Sequence, residues 1–469
     1  MRFIRIFPAI VLLLALLVPA VSLAADELPF QLPWEGKASG QTREFSATVG
    51  RIEWELAPGK VVQAYAYNGQ VPGPELRVAE GDLVRVTVTN SLDEPTTVHW
   101  HGVDLPVGMD GTPGFSQDPI LPGASFTYEF VATPSGTLWY HSHFNELAQH
   151  GAGLVGALIV EPRDEAAPLP DRDYTLMAGE WATATGGSEY AHTSMDHAGM
   201  GHGTLVERPR IDTFAVNGKS YPNTAPLMVR QGERVRLRLI NAGLTDTQVY
   251  ALAGHQLSIT HSDGHALIHP VEAQAVLLGA GERADVEFIA NNPGRWQLRA
   301  LGPGQTEIGL ATDVVYEGHE SDLTQGLPAG ARPQPASYLQ FQGPPRPAMA
   351  ERTYDMVLAE STEGALMWTI NGKSYPDIEP IQARAGERIR VRWTNSGYED
   401  HPMHLHGHSF QVVAINGLPL DGPIKDTLTV RHGEQYEVEF VANNPGTWLL
   451  HCHNLVHMSN GMLTDVQYR

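Results

Sequence analysis

One pattern occurs three times in this chain, and it limits the fold more than any other feature. "YNGQVPGPELRVAEGDLVRVTVTN" begins at Tyr67, "VNGKSYPNTAPLMVRQGERVRLRLINAG" at Val216 and "INGKSYPDIEPIQARAGERIRVRWTNSG" at Ile370, about 150 residues apart. Each copy runs from Asn-Gly through prolines and a Gly-Glu or Gly-Asp turn into a strand such as "RVRLRLI" or "RIRVRWT". Apolar residues there alternate with period two, so one face is buried and the other is wet. The copies also end alike: "FVATPSGTLWYHSH", "FIANNPGRWQLRAL" and "FVANNPGTWLLHCH" each place a turn before a tryptophan-bearing strand. The chain is therefore all-β, in three consecutive units, each a Greek-key β-sandwich. The expected boundaries are domain 1 at 25–165, domain 2 at 166–330, a proline-rich linker at 331–351 and domain 3 at 352–469. "NGKS" lacks the upstream glycine of a phosphate loop and reads as a hairpin turn.

The N-terminus is a targeting segment. Arg2 and Arg5 precede an apolar run that ends in the small residues Ser22 and Ala24. That pattern predicts a signal peptide over 1–24, cleaved after Ala24, and a periplasmic or otherwise exported protein. No later segment is long and apolar enough to cross a bilayer, so no membrane association is expected after cleavage. A formal net charge of -22 argues against nucleic acid and anionic lipid surfaces as partners. A monomer is expected. Cys452 is the only cysteine, and one thiol cannot form an intramolecular disulfide. In an oxidising compartment something must protect it, and a metal would.

The histidines fall where the repeats differ. Domain 1 carries "HWHG" (His99, His101) and "HSH" (His141, His143); domain 3 carries "HPMHLHGH" (His401, His404, His406, His408) and "HCHNLVH" (His451, His453, His457). In a strand, residues i and i+2 share a face, so each His-x-His pair points two imidazoles the same way, as adjacent metal ions need. The middle repeat is an internal control. Ala251 and Ala253 stand where His404 and His406 do, and Arg299, Ala300 and Leu301 replace His451, Cys452 and His453. Domain 2 builds the fold without these histidines, so they are not there for packing. Only domain 3 adds Cys452, His401 and His457; domain 1 has Ser142, Thr96 and Leu147 instead. A thiolate, two imidazoles and the weak thioether of Met462 form a blue-copper set. Cys452 would then bind one copper while its neighbours His451 and His453 face another site.

At these motifs the chain resembles the three-domain multicopper oxidases, and it is closest in character to bacterial copper-resistance oxidases. The resemblance covers essentially the whole chain after the signal and implies cupredoxin-like domains. It implies four copper ions: a type 1 copper on His401, Cys452 and His457 with Met462 axial, and a type 2 copper on His99 and His404. The type 3 pair would sit on His101, His141, His143, His406, His451 and His453. It implies single-electron oxidation of a donor and reduction of O2 to water. That reaction consumes protons, and Asp110 matches an aspartate often found after the first motif; it is either a catalytic acid or a turn former before Gly111. Asp426 matches a position close to the type 1 histidines in relatives, as a hydrogen-bond partner or a strand-edge charge. Met458 replaces an acid that some relatives carry after the last motif histidine. His255 and His408 occupy matching positions and read as structural.

The donor is less constrained. A segment at 188–204 that breaks the repeat holds His192, Met195, His197, Met200 and His202, soft ligands suited to Cu(I). The expected donor is Cu(I), as in copper tolerance. A laccase acting on phenolic substrates and an exported copper-sequestering protein remain the alternatives.

Overall fold

The computed structural model describes residues 38–163, 169–183, 206–305, 307–346, 350–361 and 367–469. The signal peptide and the Met/His segment both lie outside the described residues. Among the described residues no helix is long and apolar enough to cross a membrane.

Each repeat builds two sheets. In domain 1 one sheet has the order Lys60–Tyr67, Thr42–Ala57, Leu83–Asn90, Ser125–Val131, and the other Leu76–Ala79, Val155–Glu161, Gly136–His141, His99–His101. Domain 2 repeats the plan with six- and five-stranded sheets, and domain 3 with seven- and five-stranded sheets. The Asn-Gly turns expected from the sequence recur in all three units. Asn68-Gly69, Asn217-Gly218 and Asn371-Gly372 all have positive φ at both residues, the geometry of a two-residue hairpin turn that only such pairs adopt cheaply. In the strands that follow, Val84, Val86 and Val88 of domain 1 are buried, as are Ile389, Val391 and Trp393 of domain 3.

Domains 1 and 3 share one continuous apolar cluster, running from Val49 and Trp100 to Cys452, Met462 and Val466. Domain 2 has its own core around Leu237, Leu239 and Val286. It meets domain 1 through smaller apolar clusters, Trp139, Val155 and Ile159 packing on Met177, Ile240 and Ala242, and it meets both neighbours through polar contacts as well. Thr137 of domain 1 donates to Asp285 at 2.6 Å, and Arg283 reaches Asp426 of domain 3.

Candidate metal centre

Two strand pairs carry the histidine motifs. In domain 1, His99–His101 runs antiparallel to Gly136–His141 with His99 opposite His141. In domain 3, His401–Leu405 runs antiparallel to Thr447–Cys452, with His404 opposite His451 and Met403 opposite Cys452. Opposed residues share a face and successive residues alternate. His404 and His451 therefore face domain 1, while Cys452 faces the other way, into the core of domain 3.

The eight imidazoles of the His-x-His pairs meet between domains 1 and 3, and all are buried. His99 donates from Nδ1 to the Asp110 carbonyl at 2.9 Å, and His404 from Nδ1 to the Asp426 carbonyl at 2.9 Å. Each ring thus has a bare Nε2, and the two Nε2 atoms face one another at 3.4 Å. A second pair repeats this arrangement. His451 donates from Nδ1 to the Cys452 carbonyl, His406 from Nδ1 to the Asp110 carboxylate at 3.0 Å, and their Nε2 atoms lie 3.1 Å apart. Two lone pairs aimed at each other repel unless a cation sits between them. Nitrogens about 2 Å from one metal lie about 3 Å apart, so these spacings fit a shared ion. Buried nitrogens without partners complete the set: Nδ1 of His101, Nε2 of His141, Nε2 of His143 and both nitrogens of His453. Burial pushes the pKa of His101, His141, His404, His406, His451 and His453 down, keeping them neutral and free to ligate.

On the opposite face, His401, Cys452 and His457 form a tight triangle. The two Nδ1 atoms are 3.1 Å apart, and the Cys452 sulfur is 3.8 Å and 3.6 Å from them. Donors about 2.0–2.3 Å from one metal lie about 3.1–3.8 Å apart, so these spacings fit a shared ion. Burial raises the Cys452 thiol well above its ordinary range, so the free side chain stays protonated and a bound metal must displace that proton. Asn454 caps the helix Leu455–Ser459 and sets His457 on it, and Trp368 stacks on the His457 ring at 4.5 Å. Met462 is fully buried; its carbonyl accepts from Cys452 N–H, and its own N–H donates to His457.

The outer layer was only partly visible in the sequence. Asp110 ends the turn Val107–Met109 and also lies against His99 and His406. Burial would raise its carboxyl, but the imidazoles of His406 and His99 more than offset that and hold it well below the usual range. Asp426 corrects an expectation: it lies against the converging imidazoles, 2.9 Å from His101 Nε2, not beside His401 or His457. It is buried, not a strand-edge charge. Thr427 lies opposite His404, and Asp426 stands just before that strand, outside its alternation. Gly102 explains the glycine of "HWHG". A Cβ there would meet Arg283 Nη2 at 2.5 Å and Asp426 Oδ2 at 2.7 Å. His408 and His255 make matching contacts. Each donates from Nδ1 to the carbonyl two residues earlier and accepts at Nε2 from a tyrosine hydroxyl, Tyr468 and Tyr316 respectively.

Four contributors escaped the sequence reading. Glu146 lies 2.6 Å from His143 Nδ1. Glu399 lies 3.2 Å from His457 Nε2 and pairs with Arg208. Trp368 and Arg283 are the others. One signal was available for Arg283: the matching residues of the other repeats are Ser125 and Gln435, both uncharged.

Three stretches of the chain, 48–165, 172–319 and 343–469, match sequence families described as multicopper oxidase. Multicopper oxidase MmcO of Mycobacterium tuberculosis is 32% identical over 452 residues, covering 92% of this chain and 88% of that protein. A copper resistance protein A homolog of Pseudomonas syringae is 25% identical and covers 93% and 94% of the two chains. A solved multi-copper oxidase from Pseudomonas thermotolerans superposes with a TM-score of 0.72 at 30% identity, covering 91% of this chain and 99% of that one. Laccases match as well. The chain belongs to the multicopper oxidase family, and its three sandwiches are cupredoxin-like domains. It is an oxidoreductase that uses copper, with O2 as electron acceptor.

Proposed function

We propose that this chain is an exported, periplasmic four-copper oxidase that takes electrons singly from Cu(I) and reduces O2 to water. His401, Cys452 and His457 would hold the type 1 ion with Met462 as the weak fourth ligand. His99 and His404 would hold type 2, and His101, His141, His143, His406, His451 and His453 the type 3 pair. Copper so bound supplies one-electron acceptance on one face of the strand Thr447–Cys452 and oxygen reduction on the other. The polypeptide supplies the rest. Adjacent residues Cys452 and His451 join the two faces by a short covalent route. Asp110, Asp426 and backbone carbonyls fix the tautomers of His406, His101, His99 and His404, leaving the ligating nitrogens bare. The buried rings exclude bulk water from the oxygen site.

The donor reading rests on one observation. Val206, four residues past His202 of the Met/His segment, is tied to the His457 helix: its N–H donates to Asn460 at 2.8 Å, and Asn460 donates back to its carbonyl. Val206 thus packs against the helix that carries His457, whose outer nitrogen meets the partly exposed Glu399. Asp246, Glu399 and Asp400 line a cleft there of about 800 Å³. Arg208, Lys425 and Arg431 line it as well. Thioethers hold Cu(I) more firmly than Cu(II), which favours product release. The same cleft also has apolar walls, including Val249, Leu277 and Phe341, and is large enough for a phenol; that keeps the laccase reading alive. Oxygen uptake with Cu(I) and with a phenol panel separates the two. Replacing Met195 and Met200 together by Leu should raise the KM for Cu(I) about tenfold and leave phenol oxidation within twofold. Phenol turnover without Cu(I) turnover in the wild type would favour the laccase.

A further inference from the structure

A small cavity of about 10 Å³, the room of one water molecule, lies against His99 and His404. A larger cleft of about 250 Å³ lies where domain 2 meets domain 1, between Gly136, Arg238, His261 and His265. Ala266 at its rim is exposed, so this cleft meets solvent. Among the described residues, Asp104 alone borders both spaces. Its backbone N–H is anchored to the Thr133 carbonyl at 2.8 Å. Its carboxylate has no hydrogen bond or ion pair with any described residue. The same wall is crossed once more, by His265 Nε2 of the cleft and Ser409 Oγ of the cavity, 3.1 Å apart. All three domains thus meet at this wall: Asp104 from domain 1, His265 from domain 2 and Ser409 from domain 3.

We propose that Asp104 is a proton relay, passing protons from the cleft to the cavity at His99 and His404, where the reduction of O2 consumes them. This rests on the four-copper reading above. The balance is simple: O2 takes four electrons from the donor and four protons from solvent to give two waters. Each proton leaves the Asp104 carboxyl and is replaced from the cleft, so the residue ends unchanged. A carboxylate without a partner, at the one point shared by a solvent cleft and a water-sized cavity, is suited to this and to little else. A structural carboxylate would be paired, as Asp426 and Asp285 are.

The surroundings put its titration in the useful range. Burial, and then the charge of Asp426, push the Asp104 carboxyl up to about 7. The facing groups do not undo this. Asp426 is itself paired with Arg283; across the cleft Arg238 is taken by Asp285 and Asp173, and Arg236 by Glu287. His261 lies beside Asp285, Glu80 stands on domain 1, and burial lowers His265 to about 4, so it stays neutral. Asp104 is then protonated below pH 7 and competent to donate, and the relay fades as pH rises through 7.

The test is the reoxidation of fully reduced holoenzyme by O2, followed by stopped flow from pH 5 to 9. Asp104→Asn should slow reoxidation at least about tenfold and abolish the decline centred near pH 7. Asp104→Glu should keep both. Copper content and the blue absorption should be unchanged in both variants. Infrared difference spectra of the wild type between pH 6 and 8 should show loss of a protonated carboxyl band that Asp104→Asn lacks, a readout independent of turnover. The relay is overturned if Asp104→Asn reoxidises within twofold of wild type with the same pH profile, if it loses copper instead, or if the infrared band is absent. Wild-type enzyme that O2 does not reoxidise at all would sink the four-copper reading itself.

Discussion

Domains 2 and 3 have the same strand register and opposite chemistry. In domain 3, His404 lies opposite His451, and Met403 opposite Cys452. In domain 2, Ala251 lies opposite Arg299 and Tyr250 opposite Ala300, the same pairing one repeat earlier. Even the structural histidine recurs, His255 bonding Tyr316 as His408 bonds Tyr468. Backbone geometry therefore prepares positions for ligands in both repeats, and the side chains decide whether a site exists. Domain 1 shows a third state. Where domain 3 has His401 and Cys452, Thr96 and Ser142 both donate to Gln149, at 2.8 Å and 2.7 Å, closing the space with neutral hydrogen bonds.

Domain 2 nevertheless serves the centre it does not ligate. Arg283 holds Asp426 through two hydrogen bonds of 2.7 Å and 2.6 Å. Asp263 and Glu282 hold Lys425 at 3.1 Å and 3.2 Å, and Glu282 also accepts from Thr429. All of these charges are buried. Such a network is costly to desolvate and worse to break, so it fixes one placement of domain 2 against the segment that carries Asp426. Gly281 allows the approach: a Cβ there would meet the His453 ring at 2.9 Å.

Copying domain 2 into domain 3 is the severest test. His404→Ala together with His406→Ala reproduces Ala251 and Ala253. It should abolish O2 reduction and keep both the β-sheet circular dichroism and the blue absorption. Cys452→Ser should do the reverse to the spectra, removing the blue band and sparing the type 2 electron paramagnetic resonance signal. If the alanine pair unfolds the protein, the histidines are structural after all and the comparison fails.

A smaller effect is expected from Arg283→Gln, which copies Gln435 into domain 2. Leaving Asp426 buried and unpaired should cost about 3–5 kcal/mol by denaturant titration. Loosening Asp426, whose carboxylate faces His101 and whose carbonyl accepts from His404, should lower oxygen turnover about 10–100-fold and alter the type 2 resonance. Arg283→Lys should recover most of the stability and less of the turnover, since an ammonium cannot make the paired contact. An unchanged resonance with lowered stability would reduce Arg283 to a domain fastener.

The mildest comparison sets His255→Gln beside His408→Gln. Each should lose about 1–2 kcal/mol of stability, and both should keep full copper content by elemental analysis. Copper loss in the His408 variant alone would break the equivalence of the two repeats.

Much of this was legible in the sequence because it is local or periodic. The repeat exposed the sandwiches, and strand parity separated Cys452 from His451. The alanines of domain 2 removed packing as the reason for the histidines. The misplacement of Asp426 shows the limit. The family resemblance places it close to the type 1 histidines, whereas its partner His101 lies in another domain and Arg283 in a third. Glu399 is two residues from His401 in sequence, yet it meets His457.

The sequence by itself determined the all-β repeat, the donor residues and which strand face each occupies, because alternation along a strand needs no knowledge of the partner. Only the tertiary structure decided which lone pairs face each other across domains 1 and 3. It also decided that a ligand-free domain holds Asp426 in place and that Asp104 stands between solvent and the His99–His404 pair. Those relations depend on how three separately specified sandwiches pack, and that packing is set by buried charge pairs and shape complementarity between residues more than a hundred positions apart.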